Sequence, residues 1–133
     1  MKQRGFGLVE LCVGLAITAV LAMVALPSFR AQQLRSHRAE AAVTLQRLQL
    51  AQEQYRERYG RYAEAIDQLP GNLSGQSGSG LYRIALQTSG PDSYQAVASA
   101  QGEQARDSDC TVVRLRVEGA LSFQEPSRSC WPT

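Results

Sequence analysis

The chain has 133 residues and a formal net charge of +2, a length that suits one small domain. Lys2 and Arg4 supply that excess, and from Phe6 onward the arginines and the acids balance, so the chain does not carry the overall basic footprint of a nucleic-acid-binding domain. Outside one apolar run roughly 100 residues remain, enough for a thin core that a covalent staple would help.

Residues 6–29 read FGLVELCVGLAITAVLAMVALPSF, with Glu10 as the single charge. A bilayer core of about 30 Å needs roughly 20 apolar residues in helical form, and the run meets this. Lys2 and Arg4 precede it, which places the N-terminus on the cytoplasmic side. The stretch Ala22-Met23-Val24-Ala25-Leu26-Pro27 does not offer the Ala-x-Ala spacing of an ordinary secretory cleavage site. Glu10 needs a partner, because ionisable groups inside a membrane are rare, paired and functional. A cut after Gly5 would supply one: the new α-ammonium of Phe6 lies about one helical turn from Glu10. The amine of a neighbouring subunit would serve equally, and composition does not choose the cut.

The helical pattern continues past the apolar run. Pro27 removes one intrahelical donor and is expected to bend or loosen the helix. Beyond it Leu34, Ala41, Leu45, Leu48, Tyr55, Tyr59 and Tyr62 recur at helical intervals, and Gly60 marks an end near residues 59–61. One helix over about residues 6–59 follows, a membrane half and an amphipathic half, the latter laid against a sheet. Residues 70–80, PGNLSGQSGSG, read as a flexible loop; without a following Lys-Ser or Lys-Thr they are not a phosphate cradle. Alternating patterns predict strands over 81–87, 93–99 (the weakest), 111–117 and 120–124, with a tight turn at Glu118-Gly119. The fold class is therefore α+β: a long N-terminal helix packed on a three- or four-stranded antiparallel sheet. Three cysteines are present. In an exported chain Cys110 and Cys130 pair while Cys12 stays free in lipid; in a cytosolic one all three stay reduced, which the apolar segment disfavours.

Arg4-Gly5-Phe6, Glu10 shortly after it, an uninterrupted apolar run and Pro27 together resemble the prepilin leader and first helix of the type IV pilins. Gly7 departs from the family's usual Thr. Cys110, a strand, Gly119, a second strand and Cys130-Trp131 resemble the tail of small PilE-type minor pilins. The resemblance implies the type IV pilin fold, with residues 1–5 as leader, 6–29 as membrane and filament-core helix, and 30–133 as head. It implies cleavage between Gly5 and Phe6 by prepilin peptidase, N-methylation of Phe6, and assembly through Phe6, Glu10 and Pro27. It implies partners among major and minor pilins and the inner-membrane assembly platform. The function it implies is a structural pilus subunit, a minor pilin supporting assembly, twitching motility and adhesion. It further implies a single-pass protein that sits first in the bacterial inner membrane and then in the pilus at the cell surface. A competence pilin binding DNA and a type II secretion pseudopilin are the alternatives.

No enzyme is expected: His37 is the single histidine, and no zinc spacing or G-x-S-x-G nucleophile motif occurs. Glu64, Asp67, Asp107 and Asp109 lack calcium-loop spacing. No cofactor, metal or small-molecule substrate is expected. For DNA, Arg114 and Arg116 share a strand face, and with Arg128 and Trp131 they form a candidate basic-aromatic patch. Ordinary salt pairs on a solvated strand face are the favoured reading of the same residues.

Overall fold

The computed structural model describes residue 5 and residues 7–131. Arg4 and Phe6, expected in the leader and at its cut, lie outside the described residues. The chain divides into two compact units, Met1–Gln33 and Leu34–Thr133. Secondary structure begins with one helix, α1, over Leu8–Tyr59. Four strands follow: β1 Tyr82–Gly90, β2 Ser93–Ala100, β3 Val112–Glu118 and β4 Leu121–Glu125. They form a single antiparallel meander in the order β1-β2-β3-β4. This is the expected α+β arrangement, with the fourth strand formed.

In the first unit α1 passes through Pro27 without a break in helical assignment. The hydroxyls within the apolar stretch satisfy themselves locally. Thr18 Oγ1 donates to the Gly14 carbonyl and Ser28 Oγ to the Ala25 carbonyl, each at 2.8 Å, which suits a setting without water.

In the second unit α1 buries Ala41, Ala42, Leu45, Leu48, Ala51 and Gln52. The core of the stripe is as expected, but its ends differ. Tyr59 is 63% exposed and stacks on Tyr55 with ring centroids 4.4 Å apart. Tyr62 is buried from beyond the helix end. Gly60 takes φ 70° and donates its N–H to the Arg56 carbonyl at 2.8 Å, a left-handed cap that a side chain would strain. The chain then turns back. Tyr62 O–H donates to Glu53 at 2.9 Å and accepts from Arg56 at 3.0 Å, and its ring meets Tyr94 edge-on at 4.7 Å. Gln52 clamps the same return: its amide exchanges two hydrogen bonds with the Ala63 backbone, at 3.0 and 2.8 Å.

The sheet's inner face follows from strand alternation. Tyr82, Ile84, Tyr94, Ala96, Ala98, Val113, Leu115 and Val117 are buried in one core with the helix stripe. The small inward residues of β2 explain both its weak sequence signal and its central place. Ala96 and Ala98 carry little β-propensity, yet they are fully buried. Tyr94 is also buried, and its hydroxyl has no hydrogen-bond partner among the described residues. The loop over 70–80, expected to be flexible, is instead pinned at several points. Ser77 N–H donates to Tyr82 O, Ile84 N–H donates to Gly75 O, and Ser79 N–H donates to the Glu40 carboxylate at 2.6 Å.

Candidate functional site

Two sets of residues carry functional interest, one in each unit. In the first, Glu10 lies in the opening turn of α1, its N–H bonded to the Gly7 carbonyl at 3.0 Å. Around and beyond it every described residue from Leu8 to Phe29 is exposed, including Leu8, Val9, Met23 and Val24 at 73–80%. An apolar helix surface of this size is not left in water; it marks a membrane or subunit contact. Cys12 is unpaired and exposed on the same segment.

In the second unit the tail is closed by a Cys110–Cys130 disulfide, the pairing expected for an exported chain. Both half-cystines are fully buried. The bond is embedded in a polar network between α1 and the 3-10 turn Gly102–Arg106. Arg38 grips the Asp107 carboxylate with Nε and Nη2, and its Nη1 donates to the Ser129 carbonyl at 3.4 Å. Gln104 Nε2 donates to the Leu34 carbonyl at 3.2 Å, to Tyr82 Oη at 3.0 Å and to Asp107 at 3.3 Å. Its Oε1 therefore accepts from His37 Nδ1, 2.9 Å away. The hydrogen bond from Arg38 to Asp107, more than burial opposes it, holds the guanidinium above its ordinary pKa. Burial would raise Glu40, but hydrogen bonds from the Ser79 backbone and the Ser79 and Ser77 hydroxyls outweigh it and lower its pKa.

The candidate basic-aromatic patch does not assemble. Arg114 and Arg116 do share the outer sheet face, but both are paired. Arg114 lies 3.9 Å from Glu125, while Arg116 meets Glu125 at 3.6 Å and also contacts Glu118. Trp131 is only 5% exposed and donates its indole N–H to the Glu125 carbonyl at 3.0 Å, so it offers no face for a base. Arg128 is exposed at the tail. The aromatic that does stand beside the arginines is Phe123, with the Arg116 guanidinium 4.5 Å from its ring centroid. Its alternation within ALSFQ was the sequence signal for it. The set of partly buried His37 and Arg38 with buried Gln104 and Asp107 is not legible in the sequence, since polar residues scattered across 70 positions announce no common site. Among the described residues no group of three or more His, Cys, Asp or Glu is placed to hold a metal ion.

A helix with an exposed apolar front half, running into a head built of its own back half and a four-stranded antiparallel meander with a disulfide-closed tail, defines a pilin-like class of subunit. The family models agree with that class. The one described as type IV minor pilin ComP, DNA uptake sequence receptor, matches residues 27–114. The prokaryotic N-terminal methylation motif matches residues 1–26. The chain belongs to the type IV pilin family. A curated relative, the type IV major pilin protein PilA of Myxococcus xanthus, is 38% identical over 72 residues, 52% of this chain and 33% of that protein. The chain thus spans about a third of that relative's length.

Proposed function

We propose that this protein is a minor pilin that is cut between Gly5 and Phe6 by prepilin peptidase and N-methylated at Phe6. It waits in the inner membrane as a single-pass protein with its N-terminus cytoplasmic, and then enters a type IV pilus beside major and minor subunits. Its contribution is to assembly, and through it to twitching motility and adhesion; it catalyses no reaction. The observation that carries this reading is the fully exposed apolar segment of α1 with Glu10 in its first turn. Buried in a filament, that carboxylate needs a cation, and the Phe6 amine of an adjacent subunit is the one the cut creates. Glu10→Ala tests it. Processing should be retained and incorporation into sheared pili lost; normal incorporation of the variant would remove the charge-pair account.

A second reading is favoured by one finding, the match over 27–114 to the DNA uptake sequence receptor family. On it, the head captures DNA during transformation. The pairing of Arg114 and Arg116 with Glu125 and Glu118 means that phosphates would have to compete with carboxylates already in place. A gel-shift series with the full chain in detergent, at rising salt, decides. Salt-sensitive binding that weakens in Arg114→Ala and Arg116→Ala supports it, and no shift at low salt removes it.

A further inference from the structure

The tail disulfide joins two segments that also meet through a single side chain. On one side lie Asp107 and Cys110: the Asp107 carbonyl accepts the Cys110 N–H at 3.1 Å, and the Asp107 carboxylate is gripped by the Arg38 fork. On the other lies Ser129, next to Cys130, whose carbonyl accepts Nη1 of the same guanidinium at 3.4 Å. Arg38 and Asp107 are both shielded, with side chains 14% and 3% exposed. Gln104 locks the first side further. It bonds Asp107 and the Tyr82 hydroxyl, and that hydroxyl donates to the Cys110 carbonyl at 3.4 Å.

We propose that Arg38 is a positioning residue for disulfide closure: its fork brings the 107–110 and 129–130 segments together before the covalent bond exists. A planar guanidinium suits this task, because it holds a carboxylate with two N–H groups and keeps a third for a carbonyl in a different direction. A lysine ammonium is a point charge and does not span both. The closure itself is an ordinary exchange with a disulfide reagent R–S–S–R. The thiolate of one cysteine attacks the reagent, forming a mixed disulfide and releasing one R–S⁻. The thiolate of the other attacks the protein sulfur of that mixed disulfide and releases the second R–S⁻. The two cysteines are oxidised and the reagent is reduced to two thiols, which take up the two protons. Arg38 touches neither sulfur chemically; it raises the time the two spend within reach.

The test uses the full chain in detergent micelles, equilibrated in buffers of oxidised and reduced glutathione. The ratio of closed to open Cys110–Cys130 gives the effective concentration of one thiol at the other. It should fall at least about fivefold in Arg38→Lys, which keeps the charge and loses the fork. It should fall comparably in Asp107→Asn, which keeps the volume and loses the charge. Arg56→Lys, at a fork that bonds Tyr62 far along the helix, is the control and should stay within about twofold of the parent. Urea midpoints of the reduced forms are read alongside, because closure and stability are linked: the ratios are compared among variants whose reduced head stays folded, where a fall reports lost positioning. An effective concentration within twofold of the parent in folded Arg38→Lys and Asp107→Asn overturns the proposal, as does an equal fall in Arg56→Lys.

Discussion

The two units solve opposite problems with the same helix. From Leu8 to Phe29 α1 exposes every described side chain, and no other described residue of its unit buries them. From Leu34 onward the helix buries a stripe of small and aliphatic residues against a sheet, and its polar side chains Arg38, Glu40 and Gln52 find partners within the chain. The first region is incomplete by construction and needs lipid or other subunits. The second closes its own core and adds a covalent staple. Substitutions in the first should therefore change assembly and leave head stability alone, and those in the second should do the reverse.

The largest expected effect is on the first side. Glu10→Ala should abolish incorporation into pili while the urea midpoint of the head is unchanged. Immunoblots of sheared pili and tryptophan fluorescence of Trp131 read the two quantities. On the second side, Cys130→Ser should lower head stability by about 3 kcal/mol, the chain-entropy value for a loop of this size, with membrane insertion intact. Gln52→Ala comes next. It strands the Ala63 N–H and carbonyl in a buried site, at a cost of about 1–3 kcal/mol in a urea melt. Tyr94→Phe should be neutral or stabilising by up to about 1 kcal/mol, since its hydroxyl is buried without a described partner.

The same core gives the head a pH signature. Burial raises the pKa of Tyr62, Tyr82 and Tyr94. Raised folded-state values favour the protonated ring, so their contribution is complete below the ordinary tyrosine value of about 10. It is lost as pH climbs from there through the raised values. Glu40 works in the other direction. Its lowered value gives a contribution present above the ordinary carboxylate range and lost as pH falls through the lowered one. Urea midpoints should thus drop at both extremes. Glu40→Gln should flatten the acid limb alone, and an unchanged acid limb would remove Glu40 as its source.

How much of this was legible in the sequence divides along similar lines. The apolar segment, Glu10, the cap at Gly60, the inward residues of β3 and the turn at Gly119 all rest on local signals, periodicity or backbone conformation, which one sequence carries. Strand β2 was faint because its buried positions are alanines, chosen for closeness to neighbours that the sequence does not show. Gln52 was invisible for a related reason: a stripe counted in apolar residues skips a polar one that is satisfied by a backbone eleven residues on. Trp131 was misplaced in the opposite way. Near a terminus and beside arginines it reads as a surface ring, yet burial against the core and a bond to the Glu125 carbonyl claim it. The Arg38 network depends on contacts between residues 69 and 91 positions apart, beyond the reach of any local pattern.

The most direct test of the central claim is the mass of the mature N-terminus, taken from protein recovered from wild-type cells. The processed pilin account expects a chain that begins at Phe6, carries one methyl group on its amine and retains the Cys110–Cys130 bond. A mass that still includes Met1 to Gly5, in cells whose prepilin peptidase is active, would contradict it.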